Sequence, residues 1–160
     1  INGVSKAYAM TGWRVGYAVG NPEIIAAMSK LTGQTTSNLT AVSQYATIEA
    51  LTGPQDSVEN MRQAFEERLN TIYPLLCQVP GFEVVKPQGA FYLFPNVKKA
   101  MEMKGYTDVT AFTTAILEEV GLALITGAGF GAPENVRLSY ATDLGTLKEA
   151  IRRLHQFMEK

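Results

Sequence analysis

Apolar residues recur at helical spacing over long stretches of this chain, and short apolar runs closed by glycine or proline lie between them. Ile1–Val4 reads as the end of a strand, and Val15–Val19 (VGYAV), short and closed by Gly20, reads as a buried strand. Asn21-Pro22-Glu23 is a helix start, with Asn as N-cap, Pro at the first helical position and an acid in the first turn. The helix is expected to reach about Leu31, with Ile24, Ile25, Met28 and Leu31 at helical spacing. Polar and β-branched residues from Thr32 to Thr40 then read as an irregular loop. Ala41–Leu51 predicts a second helix, stopped by Thr52-Gly53-Pro54. Asp56 or Ser57 caps a third, reaching about Cys77, whose core stripe is Val58, Met61, Phe65, Leu69, Ile72 and Leu76. Pro74 inside that pattern predicts a kink or an early end.

The pattern changes after Pro80-Gly81. Phe82–Val85 and Ala90–Phe94 read as strands joined by the turn-rich Lys86-Pro87-Gln88-Gly89. Thr110–Val120 reads as a helix ended by Gly121. Leu122–Ile125 and Val136–Tyr140 are further strands, separated by the glycine-rich Thr126–Gly131. Asp143 caps a terminal amphipathic helix with Leu147, Ile151, Leu154 and Met158 inward. The expected fold class is α/β, in three parts: an α/β portion over residues 1–53, a long connecting helix over 54–79, and a small α+β domain over 80–160.

Composition removes several classes of function. With 14 basic and 15 acidic residues, a formal net charge of −1 and no basic block, the chain lacks the footprint of nucleic-acid or anionic-membrane binding. A small anionic ligand needs only one or two well-placed cations. Cys77 is the only cysteine, which excludes an intrachain disulfide and a thiolate zinc site and points to a reducing, cytoplasmic setting. No apolar run approaches the roughly 20 residues of a membrane span. The start at Ile1, entering a loop as if from a strand, is the expectation for a piece of a longer protein.

The most informative segment is Ser5-Lys6-Ala7-Tyr8-Ala9-Met10-Thr11-Gly12-Trp13-Arg14-Val15-Gly16-Tyr17. It places a lysine in a strand-to-loop segment and an arginine entering a buried strand. A lysine amine attacks a carbonyl only when deprotonated, and burial or a nearby cation favours that form. An arginine fork matches a phosphate. Gly12 and Gly16 would let backbone approach closely. Together these could seat a phosphorylated aldehyde, although each residue taken alone reads first as a solvated lysine and an ion-paired arginine.

Nearly residue for residue, SKAYAMTGWRVGY is similar to the cofactor-lysine segment of class I pyridoxal-phosphate-dependent aminotransferases (fold type I), above all the bacterial aspartate aminotransferase branch. The resemblance implies that Lys6 holds pyridoxal 5'-phosphate and acts as acid–base, and that Arg14 binds the cofactor phosphate. Many such proteins carry a phosphate-contacting serine three positions before the lysine, where this chain has Gly3. A second segment, Asn135-Val136-Arg137-Leu138-Ser139-Tyr140-Ala141, resembles the strand whose arginine grips the substrate α-carboxylate. This implies that role for Arg137; from this segment alone, pairing with an acid at the domain edge is the favoured reading. Gly89-Ala90-Phe91-Tyr92 and Gly127–Gly131 are weaker matches in the same order, and Phe91, Tyr92 and Phe130 read as packing residues.

Other chemistry has little support. The glycine cluster is not followed by a suitable anion-binding helix, and Pro133 intervenes, so a dinucleotide loop is set aside. His155 is the only histidine, expected exposed on the terminal helix, and there is no metal site to build from it. The resemblance covers the C-terminal part of the family's length. It implies an aminotransferase acting on an amino acid and a 2-oxo acid, with aspartate and 2-oxoglutarate as the default pair and a homodimer when full-length. The acid that pairs with the cofactor ring nitrogen lies upstream in that family, so the 160 residues alone are expected to be inactive. A lyase on the same lysine and a non-catalytic domain remnant are the alternatives.

Overall fold

A computed structural model describes all 160 residues. The chain divides into two compact units, Ile1–Arg62 and Gln63–Lys160.

In the first unit, β1 (Asn2–Gly3) and β2 (Gly16–Tyr17) pair antiparallel, Asn2 opposite Tyr17 and Gly3 opposite Gly16. This ribbon closes a loop holding α1 (Val4–Ala7) and a 3₁₀ turn over Thr11–Trp13. Both strands are shorter than the apolar runs suggested. Val4 already opens a helix, and of the VGYAV run only Val15 is buried while Gly16 and Tyr17 face solvent. An apolar run fixes a strand only where a neighbour supplies backbone partners, and here two residues find them. α2 (Pro22–Thr35) starts as expected, the Asn21 side chain accepting from the Glu23 amide at 2.8 Å. It runs past Leu31 to Thr35, and the Thr32 and Thr35 hydroxyls donate back to the Met28 and Leu31 carbonyls, so these polar side chains are satisfied within the helix. α3 (Ala41–Thr52) is capped by Thr40. Ser43 on α3 donates to the Trp13 carbonyl at 3.2 Å, tying this helix to the Lys6–Arg14 loop.

α4 (Asp56–Leu76) continues through Pro74 and ends one residue short of the expected Cys77. Pro74 lies in the last turn: it cannot donate to the Asn70 carbonyl, and the helix ends two residues later. Of its apolar stripe, Ile72 and Leu76 are buried and Val58, Met61, Phe65 and Leu69 half-buried.

The second unit holds the main core. β3 (Tyr92–Leu93), β4 (Ile125–Thr126) and β5 (Val136–Ser139) form an antiparallel sheet in the order β3-β5-β4. The strand expected over Phe82–Val85 is reduced to a bridge between Glu83 and Asn96. The one expected over Leu122–Ile125 pairs only at its end. Between them α5 (Lys98–Met103) forms from a segment without a clear periodic signal. α6 (Val109–Val120) is capped by Asp108, whose carboxylate accepts from the Ala111 amide at 2.7 Å, and ends at left-handed Gly121. α7 (Leu144–Glu159) is capped by Asp143 as expected, and Leu147, Ile151, Leu154 and Met158 are all buried. Phe112 of α6 and Phe157 of α7 meet edge to face, ring centroids 5.6 Å apart. Alternation along β5 sends Val136, Leu138 and Tyr140 into this core and turns Arg137 and Ser139 outward. His155 is half-buried on α7 rather than exposed.

Candidate active site

Lys6 sits on the short helix α1, not in a strand-to-loop segment, and is exposed. The β1–β2 ribbon brings the ends of its loop together, so Lys6 and Arg14 belong to one closed segment of the first unit. Arg14 adopts a left-handed backbone (φ 56°, ψ 49°), a conformation a side chain with a Cβ adopts at a cost. Ala9, at the other side of the 3₁₀ turn, does the same (φ 53°). The Arg14 Nη1 donates to the Thr11 carbonyl at 3.0 Å, which folds the side chain back over the turn. No acidic residue occurs before Glu23, so the segment carries two cations and no carboxylate of its own. That donor set suits a phosphate. Arg14 also lines an open groove of about 1140 Å³ with Met28, Thr32, Asn38 and Thr47; Lys6 is not among its lining residues.

Glycine's role in this loop differs from the expectation. A Cβ at Gly12 would meet nothing within 4 Å, and one at Gly16 only ordinary contact. Gly3 is the crowded position: its Cβ would come within 3.0 Å of the Val15 carbonyl oxygen. The residue that departs from the family pattern therefore lies where the ribbon leaves little room for a side chain.

Arg137 belongs to the second unit and projects from the outer face of β5, half-buried. Its guanidinium carbon lies 4.5 Å from the Tyr92 ring centroid and 4.8 Å from that of Phe130. The antiparallel register explains the first contact: Tyr92 faces Ser139, so Arg137 is its diagonal neighbour on the same face. The second comes from the 3₁₀ turn Gly127–Phe130, which precedes β5 and is held by the Gly127 amide donating to the Asn135 carbonyl at 2.7 Å. The acids nearest in sequence are engaged elsewhere. Glu134 pairs with Lys98 at 2.8 Å, and that hydrogen bond, with the attached charge, holds its carboxyl below the usual carboxylate range. Asp143 caps α7 and is lowered by the Thr146 hydroxyl and amide. The Arg137 side chain thus has aromatic neighbours where an edge ion pair was the alternative reading. Tyr92 and Phe130, read from sequence as packing residues, are the contacts that reading missed; only the pairing of β3 with β5 puts them there.

Residues 1–154 match the family model for class I and II aminotransferases, and the chain belongs to that family. It is 81% identical over its whole length to the asparagine–oxo-acid transaminase of Streptococcus mutans, covering 41% of that protein. It is 60% identical to the aspartate aminotransferase of Geobacillus stearothermophilus, with 99% of this chain and 40% of that protein covered. The crystal structure of aspartate aminotransferase from Thermotoga maritima superposes with a TM-score of 0.89 at 39% identity, over 99% of this chain and 39% of that one. The chain therefore spans about two-fifths of the length of the relatives it matches. Its α/β architecture is that of the corresponding portion of these enzymes. No helix is long and apolar enough to cross a membrane.

Proposed function

We propose that this chain is the C-terminal portion of a pyridoxal-phosphate-dependent aminotransferase that moves an amino group between an L-amino acid and a 2-oxo acid. The observation that carries the reading is the ribbon-closed loop that holds both Lys6 and Arg14 in a chain of this family. Lys6 would hold the cofactor through its amine, and Arg14 would pair with the cofactor phosphate through donors that no acid in its loop claims. The cofactor, when bound, supplies an electron sink for negative charge at the substrate Cα. With the cofactor bound, the Lys6 amine would serve as the base for the substrate Cα proton. Arg137 orients the substrate by pairing in plane with its α-carboxylate, a role open to a guanidinium with no acid against it.

In this reading residues 1–53 belong to the large cofactor-binding domain, 54–79 form the connecting helix and 80–160 the small domain. The full-length parent acts as a cytoplasmic homodimer. The isolated chain lacks the groups that engage the cofactor ring and is inactive. Aspartate with 2-oxoglutarate is the default substrate pair. The 81% identity to an enzyme named for asparagine, against 60% to one named for aspartate, supports asparagine as a second donor.

The test is the amino-transfer half-reaction of the full-length parent with each donor, with 2-oxo acid measured as product. Wild type is expected to convert one or both donors, and Lys6→Ala to lose at least about 10²-fold in rate, the lower range for a general acid–base. Ammonia release with a β-eliminated product would support the lyase alternative instead.

A further inference from the structure

We propose that Tyr92 and Phe130 are positioning residues that hold the Arg137 guanidinium ready for a carboxylate. The inference rests on the reading of Arg137 as the carboxylate-binding residue and extends it to what keeps that side chain in place.

Three other arginines of this chain are held by glutamates: Arg62 by Glu59, and Arg152 and Arg153 both by Glu149. Arg137 is held by rings, at 4.5 and 4.8 Å. The two ways of fixing an arginine differ in what they leave over. A carboxylate takes up N–H donors of the fork and cancels the charge. An aromatic face attracts the cation through its quadrupole, leaving the charge uncancelled and in-plane donors open. A side chain that must accept a substrate carboxylate needs the second kind of support.

The surrounding contacts fix the rings in turn. Tyr92 is anchored in β3 and lies 4.5 Å, centroid to centroid, from Phe91. Phe130 is 55% exposed, yet its ring meets Phe94 nearly perpendicularly at 6.2 Å. The 3₁₀ turn carrying Phe130 is closed by Thr126 at one end and by left-handed Gly131 (φ 73°) at the other. With two rings on the same guanidinium, fewer rotamers remain open to Arg137, and less freedom is lost when a carboxylate binds.

The experiment uses the full-length holoenzyme. Phe130→Leu and Tyr92→Leu keep apolar bulk and remove the ring face; Phe130→Tyr and Tyr92→Phe keep it. Each is measured for amino-acid KM, for kcat, and for inhibition by the non-reacting dicarboxylate maleate, with a thermal melt to establish folding. The leucine variants are expected to raise KM and the maleate inhibition constant by about 2- to 12-fold, the range for having to order one rotamer-rich side chain on binding. Their kcat should stay within about twofold, since the loss falls on ground state and transition state alike. The ring-keeping variants should match wild type. If a leucine variant does not fold, Phe130→Met or Tyr92→Met takes its place. Arg137→Lys separates the two layers of the argument. Weakened maleate binding in Arg137→Lys together with wild-type values in the leucine variants would overturn the positioning role and leave the Arg137 reading intact. Unchanged binding in Arg137→Lys would overturn both.

Discussion

The Gly127 amide donates to the Asn135 carbonyl at 2.7 Å, closing the turn that delivers the chain into β5 two residues before Arg137. The backbones approach so closely that a Cβ on Gly127 would run into the Ala132 and Asn135 carbonyl oxygens. Neither oxygen belongs to a flexible side chain, so the turn itself must move. Gly127→Ala is expected to destabilise the protein by about 1–3 kcal/mol, the usual range for overpacking. Gly12→Ala, whose Cβ meets nothing within 4 Å, serves as the control. Urea unfolding of the two variants checks this; equal midpoints would mean that the turn has room.

Arg153 links the last two helices of the second unit. Its Nη1 donates to the Val120 and Gly121 carbonyls, each at 3.1 Å, at the C-terminal end of α6 where carbonyls lack helical partners. Arg153→Ala should therefore cost about 1–2 kcal/mol, and a thermal melt should register it as a fall of roughly 2–6 °C. Arg152→Ala is expected to cost less, because Arg152 is an exposed residue bonded only to side chains of its own helix.

Acid should weaken the same helix. The Arg152 hydrogen bond, with that of Arg153, lowers the Glu149 carboxyl to about 2. Because the folded value lies below the unfolded one of about 4.3, the contribution is fully present above the unfolded value and is lost as pH falls towards the folded one. Asp143, lowered by its Thr146 contacts, acts in the same direction. The stability gap between wild type and Glu149→Gln is expected to be constant near neutral pH and to shrink between about pH 5 and pH 2. A gap independent of pH across that window would show that the Glu149 charge contributes nothing to folding.

What could be read from sequence followed the range of the interactions involved. The caps at Asn21 and Asp143 and the buried face of α7 were legible because they depend on residues within a turn or two of one another. Strand extents were overread at VGYAV and Phe82–Val85, because pairing partners, not the apolar run, decide how far a strand extends. The α2 extension through Thr32–Thr35 was missed because threonines whose hydroxyls turn back to their own helix look like loop residues by composition. Lys6, Arg14 and Arg137 were singled out through a family resemblance, not through spacing, and their roles are proposals. The rings around Arg137 were missed because Tyr92 and Phe130 reach it from different elements, 45 and 7 positions away in sequence.

The central claim is that Lys6 is the amine that holds pyridoxal phosphate. It is tested most directly by titrating the full-length parent with pyridoxal phosphate, reducing with borohydride and mapping the modified peptide by mass. The account predicts a single adduct on Lys6, absent in Lys6→Ala. Adduct formation on other lysines with Lys6 unmodified would contradict it.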